Sequence, residues 1–394
     1  MQPIRVTAYS IVNSLGVGRN PVVESLRARR SGLHPCDFDT VDLDTYIGRV
    51  PALDEIKVRT DLERYDCRNN RLAQLALETD GFADAVRAAR ERYGADRVGV
   101  FLGTSTSGLL QAELAYRERD PMSGALPEAF AYASTQNNFS LAAFVHAYLG
   151  LSGPAVTVSS ACSSSAKVFG NAARMMVAGL CDAAVVGGVD TLCLTTLYGF
   201  NSLQLLSRTP CRPFDAQRDG ISIGEGAGFA LLEKAGAADN PLLLGIGESS
   251  DAHHMSTPHP EGLGASLAMQ RALAAAALNA SDIDYLNLHG TASKSNDAAE
   301  DKAVSHVFGR STPVSSTKGY TGHLLGAAGI TEAIIALLAI EQQMLPGSVH
   351  TQTLDPSMKS NYLLNNVTTR VKRVLSNSFG FGGSNCSLVL GVRD

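Results

Sequence analysis

The stretch Pro154-Ala155-Val156-Thr157-Val158-Ser159-Ser160-Ala161-Cys162-Ser163-Ser164-Ser165-Ala166 frames the reading of the whole chain. Residues 154–158 read as a buried strand, and residues 166–180 have helical spacing with a stop at Gly179. Cys162 therefore falls where strand gives way to helix, among small residues that leave its sulfur approachable. Unpaired N–H groups and the positive end of the helix macrodipole should favour thiolate over thiol there, which suits attack on an electrophilic carbonyl. A lone cysteine is more often a small buried hydrophobe. The abrupt change from β-branched to small residues is what sets this one apart.

Working outward, the same unit recurs. Pro313-Val314-Ser315-Ser316-Thr317-Lys318 turns through Gly319 and Gly322 into an apolar helix that ends before Pro346. Leu102-Gly103-Thr104-Ser105-Thr106-Ser107 follows a strand at 98–101, and Leu288-His289-Gly290-Thr291-Ala292-Ser293 follows a strand-like 283–286. Gly224-Glu225-Gly226-Ala227-Gly228 is echoed by Gly380-Phe381-Gly382-Gly383-Ser384, and both read as glycine-rich hairpin turns leading into strands. Three landmarks in one order predict an internally duplicated α/β architecture with its seam near 237–240, hence halves 1–240 and 241–394. Helical spacing at 71–92, 266–278 and 324–344 alternates with apolar strands such as 183–189, so the sheets should be covered on both faces.

Composition narrows the function classes. With 394 residues, 45% hydrophobic and 18% charged, the chain can bury a large core as a soluble globular protein. No apolar run of roughly 18 residues is expected to span a bilayer, and Met1-Gln2-Pro3-Ile4-Arg5 lacks the apolar core of a secretion signal. Both point to the cytoplasm and away from a membrane. Seven cysteines without a CxxC pair argue against a disulfide framework and a structural zinc site. A net charge of −5 provides no basic field for nucleic acid.

Two histidines in small-residue turns are the partners a reactive sulfur needs. His289 ends a strand, and His323 opens a helix in Gly322-His323-Leu324. One histidine alone is more often a satisfied core residue; two in matched turns point to a single constellation with Cys162 at the strand ends, where α/β sites form. His253, His254 and His259 lack carboxylate or cysteine companions at ligand spacing and read as a loop at the site rim, so no metal is expected. Gly103-Thr104-Ser105-Thr106-Ser107-Gly108 lacks the Lys-Ser/Thr of a P-loop, and Gly224-Glu225-Gly226-Ala227-Gly228 leads into a strand rather than a helix. No Gly-x-Ser-x-Gly elbow supports a serine hydrolase.

In Ser160-Ala161-Cys162-Ser163-Ser164, Arg212-Pro213-Phe214-Asp215, Arg218-Asp219-Gly220, His289-Gly290-Thr291, Ser316-Thr317-Lys318, Gly322-His323 and Asn377-Ser378-Phe379-Gly380-Phe381-Gly382-Gly383, the chain resembles the β-ketoacyl-acyl-carrier-protein synthases. These are the Cys-His-His condensing enzymes of the thiolase-like superfamily. The second histidine separates this branch from the chalcone-synthase and ketoacyl synthase III types, and Cys162 separates it from chain-length-factor subunits. The resemblance implies a five-layer αβαβα fold. It also implies decarboxylative Claisen condensation of malonyl-carrier protein with an acyl chain held on Cys162, in fatty-acid or aryl-polyene and polyketide-type biosynthesis.

The same resemblance assigns roles. His289 and His323 would donate N–H bonds to the malonyl thioester oxygen, and the backbone N–H groups of Cys162 and Phe381 would hold the acyl oxyanion. Phe381 would act as a gate beside Phe379, and the pair Lys318 and Glu332 would keep His323 neutral. Thr291 and Ser293 would bind the pantetheine arm, although Lys294-Ser295-Asn296 replaces the family's proline-containing turn. Asp297 matches a family acid and reads as structural. No metal or redox cofactor is required. The implied partner is acyl carrier protein, met by Arg68, Arg71 and Arg208. The assembly would be a homodimer or, alternatively, a heterodimer with a chain-length-factor-like subunit. Residues 104–110 and 132–139 would set tunnel depth.

Overall fold

The computed structural model describes residues 1–234 and 240–393. Two sets of five strands build it, and they repeat. In the first half β1 (Ile4–Asn13), β2 (Val98–Gly103), β3 (Ala155–Val158), β4 (Ala183–Asp190) and β5 (Gly226–Lys234) lie in the order β3-β2-β4-β5-β1. In the second half β6 (Leu242–Ser250), β7 (Tyr285–Asn287), β8 (Pro313–Ser315), β9 (Arg373–Gly380) and β10 (Ser384–Gly391) lie in the order β8-β7-β9-β10-β6. Adding five to each label of the first sheet gives the second, and the two are joined edge to edge by the antiparallel pairing of β1 with β6, Ile4 opposite Leu243. The directions match as well: β2 is parallel to β3 and β4, and β5 is antiparallel to β4 and β1. The corresponding pairings of β7 to β10 with β6 are the same. A duplicated architecture is therefore written in the topology. The predicted seam at 237–240 falls largely on residues 235–239, outside the described residues.

Alternation along the strands shows why helices cover both faces. On β2, Val98, Val100 and Leu102 join one buried cluster and Phe101 joins another. The first cluster packs under α1 (Arg68–Leu77), α2 (Phe82–Tyr93) and α3 (Phe139–Leu149). Phe101 faces the centre, where Val168, Phe169 and Ala172 of α4 (Ser164–Val177) meet Ile330, Ile334 and Leu338 of a helix from the other half, together with Leu388 and Leu390 of β10. A short helix, α5 (Leu194–Ser202), follows β4. On the far side α6 (Leu263–Ala276) and α7 (Lys294–Phe308) cover the second sheet, and the central helix of that half is α8 (Ala328–Gln342). The layers run helix, sheet, helix pair, sheet, helix.

Several local expectations change in the fold. Helical spacing at 71–92 resolves into α1 and α2, because Asp80 and Gly81 both take left-handed φ angles (57° and 72°). The helix expected from 324 starts at Ala328, after Leu325 takes φ 52°. Gly224 to Gly228 is not a hairpin. Ile223–Gly224 pairs with Tyr46–Gly48 in a separate small sheet, and β5 begins two residues later in the large one. The second glycine-rich stretch is a hairpin, with Gly380 opposite Ser384. One 18-residue segment, Leu325–Gln342, is long and apolar enough to cross a membrane, contrary to the expectation from sequence; it is 89% buried between the two sheets. Apolar character all around a helix is what a central layer demands.

The two central helices touch at their first turns. A Cβ added at Gly329 would lie 2.6 Å from Ala166 N and 2.8 Å from Ala166 Cβ. Gly329→Val should therefore overpack this crossing and cost about 2 kcal/mol or more, read as a lowered Tm in thermal unfolding. An unchanged Tm would contradict the close approach.

Candidate active site

The turn from β3 to α4 is built from serines. Ser164 Oγ donates to Ala161 O at 2.6 Å and accepts from Ser160 N at 2.8 Å, while Ser163 Oγ donates to Ser160 O at 2.9 Å. Side chains this short can fold back onto their own backbone, which explains the serine run. The turn forces Ala161 to φ 51°, strained for an alanine, and presents Cys162 at its tip.

Cys162 Sγ lies 3.1 Å from His323 Nε2, and the rings of His289 and His323 are 5.3 Å apart in a T arrangement. All three residues are buried. The hydrogen bonds to the other ring nitrogens assign the tautomers. His323 Nδ1 accepts from Leu325 N at 3.2 Å, and His289 Nδ1 faces the Lys318 ammonium at 3.3 Å. Each Nδ1 is therefore an acceptor, so each Nε2 carries the proton and points a donor into the pocket. Lys318 also donates to His289 O at 2.5 Å and to Glu332 Oε1, which uses its three protons. Burial first, and then the Lys318 charge, hold both imidazoles well below their usual pKa and hence neutral.

Burial pushes the Cys162 thiol up to about 11, outweighing Lys318 and the Phe381 N–H that favour the anion. This corrects the expected resting thiolate: position ahead of a helix helps, but loss of water costs more. Burial likewise lifts Glu332 to about 7, with Lys318 opposing it.

The remaining expected residues fall around this centre. Phe379 is buried 6.0 Å from the His289 ring, and Phe381 sits at the hairpin tip, 5.7 Å from Phe200 of α5. A Cβ at Gly380 would come within 3.2 Å of Cys162 N, so the hairpin lies against the nucleophile's own peptide. Thr291 and Ser293 line the same pocket as Cys162, and Ser293 also caps α7 by accepting from Asn296 N. Asp297 is structural as read: it accepts from Phe214 N and pairs with Arg218. The rings of His253 and His259 lie 5.1 Å apart, tilted by 59°, in a loop whose Ser256 and Pro258 line the same pocket. Arg68 does not face solvent. It is buried against Glu225 and Asp54, while Arg71 pairs with Asp66; of the three arginines expected to meet a carrier, Arg208 is the exposed one.

Sequence reasoning missed Glu300. Its carboxylate accepts from His289 N at 2.8 Å and Gly290 N at 2.7 Å and so holds the histidine turn from beneath. An acid directly after Ala298 and Ala299 on a helix was the available signal. Among the described residues, the grouping with metal-ligand spacing is the Cys162, His289 and His323 triad itself, whose donor atoms lie within 4.8 Å of one another.

A thiol presented on a strained turn, two neutral N–H donors beside it and a duplicated five-layer sandwich define a carbon–carbon condensing enzyme of the thiolase-like class. The chain belongs to the β-ketoacyl synthase family: residues 1–238 match the beta-ketoacyl synthase N-terminal domain and residues 242–352 its C-terminal domain. It is 31% identical to 3-oxoacyl-[acyl-carrier-protein] synthase 2 of Vibrio cholerae, over 98% of this chain and 97% of that protein. Among solved structures it is similar to a chain of the complex of the ketosynthase ApeO with its chain length factor ApeC from Xenorhabdus doucetiae. That match has 37% identity and a TM-score of 0.90 and covers 100% of this chain and 98% of the other. The ishigamide ketosynthase/chain length factor matches with 28% identity, a TM-score of 0.90 and full coverage of both chains.

If burial controls the sulfur, iodoacetamide should alkylate Cys162 slowly at neutral pH, with a rate that climbs as pH approaches about 11. Lys318→Met removes a cation that favours the anion and should shift this profile to higher pH. Rapid, pH-independent alkylation, mapped to the Cys162 peptide by mass spectrometry, would reveal a stored thiolate instead.

Proposed function

We propose that Cys162, His289 and His323 perform the family's decarboxylative condensation in two half-reactions on acyl carrier protein. In the first, the Cys162 sulfur attacks the acyl thioester on the pantetheine arm. The oxyanion is held by the backbone N–H groups of Cys162 and Phe381, and the departing pantetheine sulfur takes the thiol proton. In the second, malonyl thioester loses carbon dioxide. Nε2–H of His289 and of His323 stabilise the enolate oxygen, and the enolate carbon attacks the acyl-Cys carbonyl and expels the sulfur as thiolate, which takes one proton from water to restore the thiol. Preorganised donors of this kind are worth about 3 kcal/mol each. Thr291 and Ser293 hydroxyls suit the amides of the arm, and Phe381 on its glycine-flanked tip suits a gate.

The observation that carries this reading is the pair of tautomers: two neutral imidazoles, each with its proton aimed at the cysteine pocket. The chemistry calls for no metal or redox cofactor, so condensation should survive dialysis against a chelator. Unpaired thiols throughout the described residues suit the cytoplasm, where carrier-bound substrates would be met.

We further propose a dimer formed through the exposed side chains Tyr116, Met122, Tyr132 and Phe139 together with the edge strand β3. A second copy is the simplest occupant. Likeness to a chain of the ApeO–ApeC complex, which pairs a ketosynthase with a chain length factor, favours a heterodimer as the second reading. Light scattering and activity of the isolated chain separate the two.

Cys162→Ala should abolish acyl-enzyme and condensation while malonyl-carrier decarboxylation persists. His323→Ala should lower decarboxylation about 100-fold or more. Intact-protein mass spectrometry with a panel of acyl carriers, followed by product analysis, reads both; condensation by the Cys162→Ala variant would defeat the assignment. Because both imidazoles are already neutral, decarboxylation by Cys162→Ala should show no imidazole step near pH 6.5, and a change centred near pH 7 would report Glu332 instead.

A further inference from the structure

Asp190 ends β4 with no exposed surface and has no part in the mechanism above. Four donors converge on its Oδ1: Thr104 Oγ1 at 2.9 Å, Ser105 N at 2.8 Å, and the N and Oγ1 of Thr106 both at 2.7 Å. Its Oδ2 accepts from Ala327 N at 3.2 Å. The first four donors belong to the turn after β2 in one half of the fold. Ala327 belongs to the turn that follows His323 in the other half.

Both turns abut the reacting atoms. Ser105 Oγ reaches Ala161 O at 3.5 Å, one residue before Cys162. On the other side, Leu325 N fixes the His323 tautomer two residues before Ala327. There is no slack between the turns: a Cβ at Gly326 would lie 2.7 Å from Asp190 Oδ2 and 2.8 Å from Ser105 Oγ. An ionised carboxylate is matched to this place because it offers only acceptors to five donors. An amide of the same shape would have to turn its NH2 group toward an N–H.

We propose that Asp190 is a positioning residue for condensation, its carboxylate clasping the turns of the two halves so that Cys162 Sγ is held against His323 Nε2. The proposal rests on the reading of Cys162 as nucleophile. It carries an electrostatic consequence. The charged and titratable groups acting at the sulfur are Lys318, Glu332, His289, His323 and Asp190; burial raises the Asp190 carboxyl while the Thr104, Ser105 and Thr106 donors favour its ionised form, and as an anion it joins Glu332 in opposing Lys318 at the thiol. Burial is the larger cause of the protonated sulfur, and Asp190 adds to it.

The test uses the full chain. Asp190→Asn removes the charge, and Thr106→Val removes one clasping hydroxyl while leaving the charge. Alkylation of Cys162 by iodoacetamide across pH needs no substrate, so it reads Asp190 even if the wild type fails to condense, a failure that would instead count against the proposed function. Asp190→Asn should move the alkylation profile to lower pH by about half a unit or more. It should also lower kcat about ten-fold with KM within about two-fold. Thr106→Val should leave the profile in place and lower kcat about three-fold. An unmoved profile in folded Asp190→Asn, or wild-type kcat in either variant, would overturn the proposal. If Asp190→Asn does not fold by circular dichroism, the kcat of Thr106→Val decides.

Discussion

The Lys318 ammonium is the interaction on which the site depends. It is buried, and its protons go to Glu332 Oε1, the His289 carbonyl and His289 Nδ1. An isolated cation at that depth would be prohibitive; with Glu332 and two further acceptors it becomes a fixed source of field. That field does two things. It assigns the His289 tautomer directly, and it disfavours a second positive charge on either imidazole. The catalytic donors are thus set by a group that need not touch substrate.

Duplication brings the parts together. Cys162 precedes the central helix of one half and His323 precedes that of the other, and the close crossing at Gly329 and Ala166 fixes the distance between them. Non-glycine residues take left-handed φ beside each reacting group: Ala161 before Cys162, Ala292 after the His289 turn and Leu325 after His323. Such backbones cost about 1–3 kcal/mol each and persist only where the surroundings over-determine them. Here the surroundings are the serine hydroxyls, Glu300 beneath His289, and Asp190 between the turns.

Local inference and burial disagree at two instructive places. Cys162 has the favourable position ahead of α4, yet water is excluded so thoroughly that the thiol is the resting form. Arg68 lies in a polar, charge-rich stretch that reads as surface, yet it is enclosed with Glu225 at the point where the chain passes from the small sheet into the large one. In both cases the deciding term is how much water the rest of the chain removes, which no window of sequence reports.

Periodicity, turn residues and motif order were enough for the strand–Cys162–helix unit, the repeat of that unit around Lys318, and the choice of Cys162, His289 and His323 as one constellation. These follow from local rules, because a strand's alternation and a helix's spacing are properties of a few neighbouring residues. Tautomers, the protonated sulfur, the split of the helical region 71–92 and the supporting roles of Glu300 and Asp190 needed the fold. Each depends on an acceptor, a donor or an excluded solvent molecule contributed by residues distant in the chain, and only tertiary packing sets those distances.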